Sequence, residues 1–144
     1  MSTIAQTIEE IAGDFALLSD WEDRYSYLIE LGRALPPLAA PERVDANKVR
    51  GCASQVWLVT ERTPEPTGAL VFRGDSDAHI VRGLIAVIIR IFSNRTPQEI
   101  LATDPRQSFA ALGLSEALTP QRSNGVYAMM ERMRRDAQAA LTNG

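Results

Sequence analysis

The chain contains one cysteine, Cys52, inside the run Lys48-Val49-Arg50-Gly51-Cys52-Ala53-Ser54-Gln55. Two cations within four residues favour the thiolate, the form of cysteine that acts as a nucleophile. A lone cysteine in a small domain also serves as an inert packing residue, and from its neighbours alone both readings stay open. A single cysteine excludes an intrachain disulfide, a CxxC redox pair and a multi-cysteine zinc or iron-sulfur cage built from one chain. His79 is the only histidine, and a Cys-His hydrolase needs it beside Cys52, oriented by Asp75 or Asp77. Its place in the first turn of a helix suits an exposed structural histidine equally well. Gly74-Asp75-Ser76-Asp77 reads as a strand end followed by a helix N-cap. Antiparallel pairing returns that turn to the start of the first strand, bringing thiol, carboxylates and a helix N-terminus to one place. Arg122-Ser123-Asn124-Gly125 has poor helix propensity at the start of a helix. Close backbone packing explains it, or a docking surface on which Arg122 is the exposed charge.

The elements that must position these residues follow from hydrophobic period. Ile4, Ile8, Ile11, Phe15 and Leu18 mark one face of a first helix, opened by a Thr3/Gln6 capping box. Ser19 and Glu22 offer a second box, after which Trp21, Tyr25, Leu28, Leu31 and Leu35 repeat until Pro36-Pro37. Residues 36–47 carry three prolines and no period, the pattern of an extended connection. Cys52 to Thr60 and Ala69 to Arg73 read as two strands around a proline-containing hairpin loop, with Lys48 to Arg50 as a possible third. From Ser76 the helical period returns as the most apolar, central helix. Thr96-Pro97-Gln98-Glu99 starts a short helix to Ala102, Gly113 ends another turn near Phe109, and Thr119-Pro120 opens the last helix. Its face is Val126, Met129, Met130, Met133, Ala137 and Leu141, with the methionines read as packing. The expected fold is one α+β domain over 1–144: a small antiparallel sheet of two to three strands, on which the stripes of the first, second, central and last helices converge.

Fifteen Lys and Arg against eighteen Asp and Glu give 144 residues a net charge of -3, with no basic excess to release counterions from nucleic acid. The longest apolar run, Leu84 to Ile89, is far short of a membrane span, and the first residues carry acids and no positive leader, so a cytoplasmic location is expected.

The run Asn47 to Trp57 resembles the signature of the SufE-like sulfur acceptors. Trp21-Glu22-Asp23-Arg24-Tyr25, Leu31-Gly32-Arg33-Ala34-Leu35-Pro36, Gly74-Asp75-Ser76-Asp77-Ala78, Ile80-Val81-Arg82-Gly83-Leu84 and Leu118 to Gly125 resemble the same family, in order, over about Trp21 to Arg134. One departure is Ala53, where the family often has glutamine; it affects a polar contact and leaves the thiol chemistry untouched. The resemblance implies a fold similar to the IscU scaffold proteins. It also implies a persulfide carrier, not itself an enzyme, that takes sulfur on Cys52 and stimulates a cysteine desulfurase of SufS or CsdA type. Pyridoxal phosphate is then the partner's cofactor, this chain binds none and no metal, and an iron-sulfur assembly scaffold lies downstream. Lys48, Arg50, Gly51, Ser54, Gln55, Asp75, Ser76, Asp77 and Arg122 are the candidate partner-binding or thiol-environment residues. An iron-sulfur scaffold and a Cys-His hydrolase are the competing functions.

Overall fold

The computed structural model describes residues 3–51, 54–64, 68–114 and 118–143. Cys52 and Ala53 lie outside the described residues, as do the hairpin-loop positions 65–67. The elements run α1 (Ile4–Ala16), α2 (Trp21–Ala34), two 3-10 turns (Ala40–Glu42 and Asp45–Asn47), β1 (Val56–Arg62), β2 (Leu70–Ser76), α3 (His79–Phe92), α4 (Pro97–Leu101), α5 (Pro105–Leu112) and α6 (Pro120–Asn143).

Local chemistry explains most boundaries. Thr3 and Gln6 exchange the two hydrogen bonds of a capping box, and Thr96 and Glu99 do the same for α4. The cap of α2 is Asp20 and not Ser19: its carboxylate accepts from the Glu22 N–H at 3.1 Å. Gly113, at φ +75°, ends α5 in the left-handed conformation that glycine adopts without strain. The strands start and stop later than β propensity suggests. β1 begins at Val56, four residues past Cys52, and β2 continues through Gly74-Asp75-Ser76, with Val56 opposite Ser76 and Trp57 opposite Asp75. Beside β1, Lys48 pairs with Trp57 in one isolated bridge, all that forms of the third strand.

α3 is the centre of the molecule, burying nine of its residues. It packs on β2, while α1 and α2 pack on α3 and α4 packs on α6. The helical stripes therefore do not all converge on the sheet: two strands offer too little surface, and α3 interposes a second apolar layer. The α2–α3 crossing is close because both helices present glycine there. A Cβ on Gly32 would lie 2.8 Å from the Gly83 nitrogen, and one on Gly83 would lie 2.6 Å from the Leu28 carbonyl carbon. Met129, Met130 and Met133 are core, whereas Leu141 is 37% exposed as α6 runs past the last element that could cover it.

Residues 36–49 form a strap over the outward face of the hairpin. Leu38 is buried, and its N–H donates to Asp75 Oδ2 at 3.0 Å. Further along, Arg73 forms a two-pronged pair with Glu42 and a third bond to Glu61 at 2.8 Å. The strap then delivers the chain to Lys48 and the start of the site.

Candidate functional site

The Val49 N–H donates to the Val56 carbonyl at 2.8 Å and closes the base of a loop, residues 50–55, that contains Cys52. Gly51 has φ +90°, a value that L side chains rarely adopt, so a glycine leads this turn. Its Cα faces α6: a Cβ built there would sit 3.4 Å from the Ala128 methyl. At the other end, the Gln55 N–H donates to Asp77 Oδ1 at 3.1 Å and the Gln55 side-chain amide to Oδ2 at 3.4 Å. The Asp77 N–H returns a bond to the Gln55 carbonyl at 3.4 Å. The adjacency expected between the cysteine loop and the Gly74–Asp77 turn is therefore present, carried by Gln55 and Asp77.

Two clefts flank this loop, both walled by α6. In the first, buried Val56, Val81, Leu84 and Met129 form apolar walls, with Ser54, Gln121, Arg122 and Gly125 completing it around a narrow space of about 30 Å³. Gly125, weak for a helix, contributes no side chain where the cleft needs room. Arg122 is half-buried, its backbone N–H held by Thr119 Oγ1 at 3.2 Å and its guanidinium 3.4 Å from the Tyr25 hydroxyl. In the second cleft, Lys48 and Arg50 face Arg132 and Arg135 of α6. Arg132 fastens this wall by donating to the carbonyls of Lys48 (3.2 Å) and Ala46 (3.3 Å).

Asp75 and Ser76 are placed differently from the expected helix cap. Both lie in β2, the N-cap position of α3 is Ala78, and no side chain caps it. Ser76 Oγ accepts instead from the Ala78 N–H at 3.2 Å, one residue before α3. The Asp75 carboxylate points under the strap, where it pairs with Arg82 and accepts from the Leu38 and Ser76 amides. Arg82 in turn donates to the carbonyls of Gly32 and Leu35, so one ion pair joins α2, the strap, β2 and α3. Sequence reasoning gives Arg82 no such role; its signal is a charge amid Ile80-Val81-Arg82-Gly83-Leu84, where the period calls for burial.

His79 is exposed at the first position of α3. Among the described residues no hydrogen bond or ion pair joins it to Asp75 or Asp77, so the oriented imidazole of a Cys-His hydrolase is not assembled there. The described residues also hold no group of three His, Cys, Asp or Glu able to bind a metal, and no helix long and apolar enough to cross a membrane.

Residues 9–137 match the family described as SufE, Fe-S metabolism associated domain. This chain belongs to the SufE family. An uncharacterized SufE-like protein of Rhizobium etli is 50% identical over 133 residues, covering 92% of this chain and 90% of that protein. Another, of Rhizobium meliloti, is 47% identical over 136 residues, covering 94% and 97%. The solution structure of a hypothetical protein from Thermus thermophilus superposes with a TM-score of 0.73, covering 96% of both chains at 20% identity, which is a likeness of fold. The SufE assignment connects the chain with iron-sulfur metabolism and agrees with the α+β architecture. In this SufE chain the described part of the signature segment is Asn47 to Gly51 and Ser54 to Trp57, the two arms of the loop between the clefts.

Proposed function

We propose that this chain accepts sulfur from a pyridoxal-phosphate cysteine desulfurase on Cys52 and passes it to iron-sulfur cluster assembly. The observation that carries this reading is that the chain's one thiol stands in the sequence between Arg50, which lines the cationic cleft, and Ser54, which lines the apolar one.

The reaction asks little of the carrier. The Cys52 thiolate attacks the outer sulfur of the donor's cysteine persulfide; a new S–S bond forms to Cys52, the donor S–S bond breaks, and the donor cysteine leaves as thiolate. The proton on the transferred sulfur moves with it, so no external oxidant or reductant is needed. Freeing the donor cysteine for another turnover is how such a carrier stimulates its desulfurase. A persulfide is readily oxidised or lost to solvent thiols, and the apolar cleft lined by Val56, Val81, Leu84 and Met129 is suited to shelter it between donor and recipient. Lys48 and Arg50 favour the anionic sulfur from the chain's other side. A scaffold that holds the cluster itself is the weaker reading, since one cysteine supplies a cluster with a single thiolate per chain.

The test is coexpression with the desulfurase of the same organism, followed by intact mass. The parent should gain the mass of one sulfur atom, and Cys52→Ser, whose hydroxyl is barely ionised near neutral pH, should still bind the desulfurase yet neither gain that mass nor stimulate sulfide production. Full stimulation by Cys52→Ser at equal occupancy would replace the relay by an allosteric activator.

A further inference from the structure

We propose that the cationic cleft between residues 45–50 and α6 receives a carboxylate-rich segment of the desulfurase, orienting loop 50–55 against its donor. The inference rests on the sulfur-acceptor reading and adds the surface and the chemistry of docking.

The cleft is lined by Lys48, Arg50, Arg132 and Arg135 against Asp45 and Asp136, in a chain whose overall charge is -3. Asp136 is already engaged: it pairs with Arg132 at 3.3 Å and accepts from the Thr60 hydroxyl at 2.6 Å. Arg132 is likewise occupied, holding two carbonyls of the 45–50 segment. These two residues build the wall. Lys48, Arg50 and Arg135 are in no ion pair among the described residues, which leaves three cations presented along one open cleft.

Position identifies the partner. The Cα atoms of Arg50 and Cys52 are two peptide units apart, at most about 7.6 Å, so whatever reaches the thiol has Arg50 within its footprint. The chemistry narrows the occupant further. No aromatic side chain lines the cleft to stack a base, and three free cations on an acidic protein release few counterions, so a nucleic acid gains little here. The cleft, about 410 Å³ and open to solvent, is more than one phosphate ion fills. A stretch of protein bearing several Asp or Glu side chains matches the length and the charge.

Two measurements on the full chain and the holo-desulfurase test this. Arg50→Glu with Arg135→Glu should weaken binding about tenfold or more at roughly 50 mM salt, and flatten the loss of affinity that the parent shows toward roughly 300 mM. The neutral pair Arg50→Gln with Arg135→Gln should lie between, and Arg33→Glu, which lines neither cleft, should match the parent. Lys48 is the chain's one lysine, so a carbodiimide should couple it to an Asp or Glu of the desulfurase, an amide forming as the reagent takes up water. If the parent binds and the Glu pair binds equally well at every ionic strength, the cleft is not the docking surface while the sulfur-acceptor reading stands. If the parent does not bind the desulfurase, or retains an RNA oligonucleotide or an anionic vesicle in its place, the sulfur-acceptor reading falls and this inference falls with it.

Discussion

Asp75 keeps only 4% of its side chain exposed, yet it is charged, and the reason it is tolerated lies in its partners. Arg82 neutralises it, and the Leu38 and Ser76 amides occupy its remaining lone pairs. Removing one member of such a pair strands the other charge, so Asp75→Ala should lower stability by about 3 kcal/mol, well above the roughly 1 kcal/mol of a lost helix cap. Denaturant unfolding measures it, and Asp75→Ala combined with Arg82→Ala should cost less than the two single changes added together. The effect should also reach the thiol. Asp75 precedes Ser76 and Asp77, and Asp77 holds Gln55, so loosening β2 at this point should speed alkylation of Cys52. Equal alkylation rates in variant and parent would confine Asp75 to stability.

Among the elements, the α2–α3 crossing is the least adjustable contact. Gly83 places its Cα against the Leu28 carbonyl, so a methyl group there forces backbone apart, not a flexible side-chain tip. Gly83→Ala should lower stability by at least about 2 kcal/mol, a drop of roughly 4–8 °C in Tm for a domain of this size. Gly13 of α1 makes the opposite case. A Cβ there meets nothing within 4 Å, so Gly13→Ala should raise stability by about 0.5–1 kcal/mol through helix propensity alone. Thermal melts of the two variants check both signs, and equal shifts would show that the crossing relaxes more freely than its geometry implies. The far edge of β2 is covered by the chain that follows α3. Leu70 exchanges backbone bonds with Asn94 and Arg95, and the Phe72 N–H donates to Ser93 Oγ at 2.9 Å, so a two-stranded sheet avoids presenting this edge to another chain.

Across the whole molecule, the strap is the element through which pH acts. The Arg73 guanidinium, and then the Ala39 N–H, hold the Glu42 carboxyl below its usual value of 4.5. Glu42 and Glu61 in turn hold Arg73 above its ordinary range. A carboxyl whose folded pKa is depressed contributes stability that is present above the unfolded value and lost as pH falls through the folded one. Arg73→Ala should therefore destabilise the protein near about pH 6, and that difference should vanish at an acidic pH below the depressed value, where Glu42 is protonated in both proteins. Urea midpoints at the two pH values report it, and a penalty independent of pH would mean that Arg73 acts through packing of its stem. Both partners face solvent, so added salt should shrink the penalty as well.

What the sequence alone determined is local. Capping residues, proline stops and apolar period located the helices, because those signals act within one or two turns of chain. The family signature singled out Cys52, and antiparallel pairing predicted the contact now carried by Gln55 and Asp77. Tertiary structure decided the rest. Asp75 is a strand residue under the strap because Arg82, seven positions on, lies where α3 crosses it, and a competition between local cap and distant cation is invisible to local pattern. The two clefts exist because α6 passes both sides of loop 50–55, bringing Arg132 and Arg135 to Lys48 and Arg50 across more than 80 positions. Sequence period could place those arginines on a helix, but only packing against the 45–50 segment determines which surface they charge.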